Sequence, residues 1–225
     1  MSDTYLITGA NRGIGLEFVR QLSARGERVI ATARNIEEAS ALKGTGATLL
    51  PLEVSDSGSI HNLGEALKGR AIDVLINNAG ISSETKSLAL CTTEGLQRDF
   101  LVNSIGPLLV TRALIPNLRA GTRRVVVSIS SKLGSIAHNT GGSSYGYRAS
   151  KAGLNMLMVS LAQEFKGEGF ISVVMHPGWV KTDMGGAGAP LEIPDAVQSM
   201  IKVIDDLLPR DNGTFRQFDG AVLPW

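Results

Sequence analysis

A tyrosine and a lysine four residues apart form the pair in this chain with the clearest capacity for acid–base chemistry. Tyr147 and Lys151 stand in the run YRASK, which opens a helical pattern continuing through Leu154 and Leu161. A spacing of four places both side chains on one helix face. A free phenol ionises near pH ~10, and an adjacent cation favours the phenolate, so Tyr147 could exchange a proton with a carbonyl oxygen. The same spacing also arises by chance, as a packed tyrosine beside a solvated lysine.

A serine run lies upstream of this pair. Ser128, Ser130 and Ser131 close an apolar stretch that is typical of a buried strand. A hydroxyl at the carboxyl end of that strand could hold the same carbonyl oxygen while negative charge develops on it. The spacing by itself leaves open which serine acts.

A glycine-rich segment near the start of the chain, TGANRGIG at residues 8–15, joins a strand pattern to a helix pattern. Gly9, Gly13 and Gly15 permit a tight turn, close approach of the backbone to a pyrophosphate, and close packing of the helix on the strand. The amino terminus of the helix favours an anion. A tight βα turn without a ligand and a methyltransferase turn are the alternatives.

Two arginines accompany this turn. Arg34 ends the second strand pattern, where an enzyme that uses NAD would place a carboxylate, and Arg12 lies inside the glycine turn. Two guanidinium groups can hold a 2′-phosphate between them, so the pattern predicts NADP(H). The alternative is that both are solvated surface groups.

The elements that must position these residues follow from an alternation of apolar runs and helical patterns. The runs are continuously apolar, which indicates parallel strands buried on both faces. The helical patterns at 16–25 and 57–68 end near glycines. The alternation predicts one α/β domain over residues 1–225, a single-domain Rossmann fold with a doubly wound parallel sheet of about seven strands. The predicted strands cover residues 5–9, 28–33, 47–54, 72–78, 123–130, 170–175 and 214–218.

Composition narrows the partners. The net charge of +1 gives no general attraction to nucleic acid or to a membrane surface. The single cysteine, Cys91, forms no disulfide framework and builds no zinc site, so no metal is expected. The chain starts without a signal-peptide pattern and shows no uncharged run of membrane-spanning length, which predicts a cytoplasmic protein.

Six motifs stand in an order that closely resembles the short-chain dehydrogenase/reductase family over nearly the whole chain. The resemblance implies a proton relay of Asn103, Ser131, Tyr147 and Lys151, with Tyr147 as acid or base and Lys151 also binding the nicotinamide ribose. It selects Ser131, three residues before Gly134, as the serine that orients the carbonyl. It also implies that Asn103 kinks its helix. The motifs are TGANRGIG at 8–15, NNAG at 77–80, VNSIGP at 102–107, ISSKLG at 129–134, YRASK at 147–151 and PGWVKT at 177–182.

The resemblance further implies the residues along the cofactor. Asn77 is expected to fix strands rather than to contact the cofactor, and the main chain at Val180 suits the nicotinamide carboxamide. Glu53 stands where the family usually has aspartate, before the adenine-contacting Val54. The full predicted cofactor set is Gly9, Asn11, Arg12, Gly13, Ile14, Gly15, Arg34, Glu53, Val54, Asn78, Ala79, Gly80, Tyr147, Lys151, Pro177, Gly178, Val180 and Thr182.

The long segment between the serine and the tyrosine and the carboxyl end resemble the carbonyl-reductase branch that includes sniffer and the bacterial C-factor proteins. The expected activity is NADPH-dependent reduction of a small carbonyl compound, with loops at 135–144 and 185–190 facing the substrate. A signalling or regulatory protein that binds the dinucleotide is the alternative. The family usually pairs through the helices bearing Asn103 and Tyr147, so a homodimer or homotetramer is expected. A stripe of Leu154, Leu157 and Leu161 serves either that contact or the core of the helix's own subunit.

Overall fold

Seven parallel strands form one sheet in the computed structural model, which describes residues 2–83 and 85–225. The strand order is β3-β2-β1-β4-β5-β6-β7, and all six neighbouring pairs are parallel. The doubly wound sheet predicted from the sequence is therefore confirmed. The strands are β1 (Thr4–Ile7), β2 (Arg28–Ala33), β3 (Thr48–Pro51), β4 (Val74–Asn77), β5 (Val125–Ile129), β6 (Ile171–His176) and β7 (Phe215–Gln217).

No strand extends more than one residue beyond its predicted run, and most strands are shorter than that run. The shortening is clearest in β3, which was predicted over 47–54 and ends at Pro51. β3 is an edge strand that pairs only with β2, and the last bond of this ladder runs from the Leu52 N–H to the Ala33 carbonyl at 2.9 Å. Proline is tolerated at Pro51 because an edge strand has a side without a partner strand. The apolar pattern therefore predicted where the strands lie, whereas hydrogen bonding to neighbouring strands determines where each strand ends.

Helices cover both faces of the sheet. The alternation of side chains along β1 shows why: Ile7 packs into the core on the α1 and α6 side, and Leu6 packs into the core beneath α2, α4 and α5. Full burial of a large apolar side chain stabilises a fold by about 1.5–3 kcal/mol, and both cores contain many. The helices are α1 (Gly13–Ala24), α2 (Ser57–Ala66), α3 (Thr93–Phe100), α4 (Gly106–Ala120), α5 (Tyr145–Glu164) and α6 (Ile193–Asp205).

The apolar stripe on α5 belongs to the core of its own chain. Leu154 is fully buried and Leu161 is 7% exposed. Both belong to the hydrophobic cluster that also contains side chains of α4 and β6. This favours the second of the two interpretations of the stripe. The exposed large hydrophobic side chains on the helices that bear Asn103 and Tyr147 are others: Phe100, Leu101, Ile105, Tyr145 and Met156.

α3 and α4 are joined by a π-helical turn, Leu101–Ile105, into one continuous helix. Pro107 in the first turn of α4 has no N–H for the carbonyl of Asn103, four residues earlier, which disfavours a regular α-helix at this point. By length and composition alone the helix Thr93–Ala120 could cross a membrane, since an 18-residue window has a mean hydropathy of 1.2. Within the fold 56% of that window is buried, as is typical of a core helix.

Candidate active site

The carboxyl ends of the strands open into one large cleft. Its volume is about 1950 Å³, and it lies where the chain order reverses between β1 and β4, the position at which open α/β sheets bind ligands. Of the predicted site residues, only Gly15 and Asn103 do not line it. Those that do are Gly9, Asn11, Arg12, Gly13, Ile14, Arg34, Glu53, Val54, Asn78, Ala79, Gly80, Ser131, Tyr147, Lys151, Pro177, Gly178, Val180 and Thr182.

The glycine turn has the shape that a phosphate cradle requires. Gly9 and Gly13 have φ angles of +63° and +56°, which favour glycine. A side chain at Gly9 would lie 2.8 Å from the Cα of Ala79, and one at Gly15 would lie 2.4 Å from the carbonyl oxygen of Gly9. At Gly13 the added carbon would meet only a methyl group of Thr182 at 3.9 Å, so this face of the turn is open to the cleft. The absence of a side chain at Gly15 therefore allows close packing within the turn, and at Gly13 it leaves the backbone accessible from the cleft.

The turn is fastened to the end of β4 by Asn78 and Thr8. The Asn78 amide Nδ2 donates to the carbonyl oxygens of Thr8 at 2.9 Å and Gly9 at 3.0 Å. The Thr8 hydroxyl accepts from the N–H groups of Asn78 and Ala79. Asn77 instead links β4 to α4 and β5 through Thr111 and Ser128, a position that fits the strand-fixing role expected for it. These bonds pre-form the cradle, and Thr8 was not among the predicted residues.

Two arginines line the cleft at the end where the adenosine half of a dinucleotide would lie. Arg34 is 75% exposed, and its Nε lies 3.9 Å from a carboxylate oxygen of Glu53. Arg12 donates to Asp183 at 2.7 Å, across the cleft from the glycine turn. Both side chains are accessible to a phosphate, but Arg12 must leave or share Asp183 to reach one. This ion pair could not be predicted from the sequence, because its partners are 171 residues apart.

The Tyr147 side chain is half-buried in the first turn of α5. Burial raises its pKa above that of a free phenol, hydrogen bonding to Ser131 acts in the opposite direction, and the charge of Asp99 raises the pKa further. From the sequence we expected the adjacent Lys151 cation to favour the phenolate and lower this pKa, but in the protein alone the pKa is raised. The reason is that the cost of burying a phenolate exceeds the attraction of a cation whose Nζ lies 5.9 Å from the ring centroid.

Lys151 is 4% exposed, and its Nζ donates to the carbonyl oxygen of Ile129 at 2.8 Å. Burial lowers its pKa to about 8, because the ammonium loses water without gaining a carboxylate. The lysine is therefore held by a strand end rather than by solvent. An anionic or hydroxyl-bearing ligand beside it would favour its charged form.

The two serines that the spacing left as alternatives occupy different environments. Ser130 also lines the cleft, but its buried hydroxyl donates to Asn155 of α5 at 2.7 Å. Ser131 is 8% exposed and lines the cleft, and its hydroxyl accepts from the Leu133 N–H at 3.1 Å and hydrogen-bonds toward Tyr147. The geometry supports Ser131 as the serine directed toward a substrate.

Asn103 lies behind the cleft, fully buried in the π-helical turn. Its amide accepts from the Ile81 N–H and donates to the Ile81 carbonyl, both at 2.9 Å, and also donates to Ser150 at 3.0 Å. A side chain on Gly80 would lie 3.3 Å from the Asn103 oxygen and 3.5 Å from Lys151 Nζ, so both groups flank this glycine. Asn103 thus fixes the backbone of Ile81 at the side of the cleft. Its helix departs from α-helical geometry at Asn103 itself, where a kink was expected.

The segment after β6 forms the opposite wall. Gly178 has a φ of +88°, and Lys181 N–H donates to the Leu191 carbonyl at 2.9 Å, which folds the loop over the cleft. Exposed Trp179 and Met184 form an apolar rim. His176 also lines the cleft; burial, with a contribution from Lys132, lowers its pKa to about 4, so it is neutral at physiological pH.

The fold and the cleft together define a dinucleotide-binding protein of the Rossmann class, with a Ser–Tyr–Lys group beside a pre-formed phosphate turn. The family described as short chain dehydrogenase matches residues 3–190. The chain therefore belongs to the short-chain dehydrogenase family and is an oxidoreductase of that family.

Similar proteins place the chain in the carbonyl-reductase branch. C-signal of Myxococcus xanthus is 47% identical over 154 residues, which cover 68% of this chain and 93% of the relative. The carbonyl reductase Sniffer of D. melanogaster has a TM-score of 0.92 at 30% identity and covers 100% of both chains. An NADPH-bound carbonyl reductase from chicken fatty liver has a TM-score of 0.91 at 35% identity, covering 100% of this chain and 99% of the other.

Proposed function

We propose that this protein is an NADPH-dependent reductase of small carbonyl compounds, working as a single dinucleotide-binding and catalytic domain with Tyr147 as proton donor. The observation that carries the proposal is the convergence of Ser131, Tyr147 and Lys151 in the same cleft as the glycine turn and Arg34. A dinucleotide could thus lie between the phosphate cradle and the proton-transfer group. The NADPH-bound relative supports the choice of cofactor.

The proposed reaction divides between the cofactor and the chain. Bound NADPH supplies the hydride, and the residues of the cleft supply orientation and a proton. Ser131 donates to the carbonyl oxygen and stabilises the charge that develops there. Tyr147 passes its hydroxyl proton to the same oxygen, and Lys151, four residues along the helix, stabilises the phenolate that remains. Arg34 and Arg12 distinguish NADP(H) from NAD(H) by binding the additional phosphate.

Cofactor choice is tested by replacing Arg34. Arg34→Ala is expected to weaken NADPH binding by about tenfold or more and to leave NADH binding nearly unchanged, because the guanidinium would bind the 2′-phosphate, which NADH lacks. The measurement is a titration followed by nicotinamide fluorescence. Arg20→Ala, which removes an exposed arginine from the outer face of α1, is the matched control. Wild-type preference for NADH, or binding of neither nucleotide, would overturn the assignment.

The two serines give a second test. Ser131→Ala is expected to lower kcat for carbonyl reduction by about 10²-fold, since it removes the donor aimed at the developing oxyanion. Ser130→Ala should instead lower stability by about 1–2 kcal/mol with kcat per folded molecule retained, because its hydroxyl bonds Asn155 in the core. Steady-state kinetics and urea unfolding of both variants separate the roles. Equal kinetic losses in the two variants would contradict the assignment to Ser131.

The substrate side of the cleft is open and carries apolar side chains. Trp179, Met184 and Leu133 line it and are each more than a third exposed. We therefore propose a broad range of aldehydes, ketones and diketones, to be screened with NADPH consumption as the readout.

A signalling or regulatory role remains the second candidate, and the similarity to C-signal favours it. An intact proton-transfer group is not needed for a binding role, which is why the enzyme activity is placed first. Loss of NADPH binding in the first titration would reverse that order. Assembly as a homodimer or homotetramer through the helices bearing Asn103 and Tyr147, and a cytoplasmic location without nucleic-acid or membrane partners, stay predictions.

A further inference from the structure

The chain that follows the NNAG turn is held on one side by the helix bearing Asn103. Ile81 is bonded through both backbone groups to Asn103. The N–H of Ser83 donates to Asp99 Oδ1 at 3.0 Å, and the Thr85 hydroxyl donates to Asp99 Oδ2 at 3.2 Å. This stretch, residues 81–83 and 85–86, is called the cleft segment here. It connects the cofactor turn to the mouth of the cleft.

On its other side the cleft segment is bonded to the beginning of α5. The Thr85 hydroxyl accepts from the N–H of Gly146 at 3.1 Å. The carbonyl of Thr85 accepts from the Tyr145 N–H at 2.9 Å, and that of Lys86 accepts from the Ser144 N–H at 3.0 Å. These are amide groups at the start of a helix, which have no partners within the helix. Thr85 therefore links Asp99 to the turn that carries Tyr147.

Asp99 is fully buried, and it forms no ion pair with any residue in 2–83 or 85–225. A carboxylate in such a place costs stability unless donors surround it. The backbone makes room for it: a side chain on Gly146 would lie 2.3 Å from Asp99 Oδ2 and 2.7 Å from Thr85 Oγ1. The first turn of α5 thus packs directly against the carboxylate. Stability alone gives no reason for this arrangement.

We propose that Asp99 is a positioning residue for Tyr147, fixing the first turn of α5 through Thr85 and opposing a second negative charge on the neighbouring phenol. The inference rests on the proposed function, in which Tyr147 must carry a proton to donate. The charge of Asp99 is one cause of the raised pKa of Tyr147, after burial of the phenol itself. Asp99 would therefore extend carbonyl reduction to higher pH.

The pKa of Tyr147 is raised with the other charged groups of this junction in place. On α5 itself, Lys151 faces Tyr147, and its ammonium group donates to the Ile129 carbonyl. Facing it from the turn after β5 is Ser131. The remaining charged or titratable groups on α3, the cleft segment and the first turns of α5, none of them paired with Asp99, are Glu94, Arg98, Lys86, Tyr145 and Arg148.

Three variants of the full-length protein test geometry and charge separately. Thr85→Val removes the bridging hydroxyl and is expected to lower kcat about tenfold with NADPH affinity unchanged, since a small misplacement of the donor slows the chemical step. Thr85→Ser keeps the hydroxyl and should restore kcat to within about twofold. Asp99→Asn keeps the size of the side chain but removes its charge. It should shift the high-pH loss of reductase activity, and the ionisation of Tyr147, to lower pH.

The ionisation of Tyr147 can be read without catalysis, as the difference in tyrosinate absorbance between each protein and the same protein carrying Tyr147→Phe. A wild-type protein that reduces no carbonyl would refute the proposed function, whereas this absorbance titration would still judge Asp99. An unchanged titration in Asp99→Asn together with wild-type kcat in Thr85→Val overturns the inference. If Asp99→Asn does not fold, kcat in the Thr85→Val and Thr85→Ser pair decides.

Discussion

Tyr147→Phe is expected to lower kcat for NADPH-dependent carbonyl reduction by about 10²–10⁴-fold, the range that a positioned general acid contributes. The substitution removes the hydroxyl and keeps the ring that packs over Lys151. NADPH affinity should therefore change by less than about threefold. Because burial raises the pKa of Tyr147, the wild-type rate of reduction should decline only well into the alkaline range, as the phenol loses the proton it must donate. Steady-state NADPH oxidation across pH measures both effects.

Tyr145 provides a matched control, since it lies two residues earlier in the same helix turn and its side chain is 45% exposed. Tyr145→Phe should retain kcat within about twofold, because its hydroxyl is outside the proposed proton path. Retention of more than about a tenth of wild-type kcat by Tyr147→Phe would show that another group donates the proton. The ring of the introduced phenylalanine has no proton to donate, so it cannot itself explain such activity.

Lys151→Met is expected to abolish most of the activity and at the same time to stabilise the protein. The buried ammonium has its pKa lowered to about 8, which corresponds to roughly 3 kcal/mol lost near neutral pH relative to an unburied lysine. Replacing it forfeits the bond to the Ile129 carbonyl, so a net gain of about 1–2 kcal/mol in unfolding free energy is expected at about pH 7. The loss in kcat should reach about 10²-fold or more, since the phenolate loses its cation.

The pH dependence of unfolding tests whether the buried charge of Lys151 causes that gain in stability. Between a pH of about 8 and 10.5 the unfolded chain still holds the lysine proton while the folded chain has released it, so wild-type stability rises with pH. The advantage of Lys151→Met should therefore shrink as pH rises through that window. Urea unfolding at about pH 7 and about pH 9.5 measures it. Lys43→Met, at an exposed lysine, should show no such dependence. A variant that is less stable than wild type at neutral pH would refute the burial argument.

The sequence by itself determined the order of strands and helices, the glycine turn and the acid–base pair. These features are local: continuous apolar runs, glycines with a fixed spacing, and two residues one helical turn apart all report on neighbours in the chain. The carboxyl ends of parallel strands meet at one edge, so the sequence also located the cleft. Family resemblance then selected Ser131 over Ser130, and the side-chain contacts support that choice.

Tertiary structure alone decided the contacts between distant segments and the electrostatics that depend on them. Arg12 meets Asp183, and Asp99 meets Thr85 and the first turn of α5, only because the chain folds back on itself. The raised pKa of Tyr147 was missed for the same physical reason. Sequence spacing shows that a lysine stands nearby, but how much water the fold removes from a phenol depends on every element packed around it.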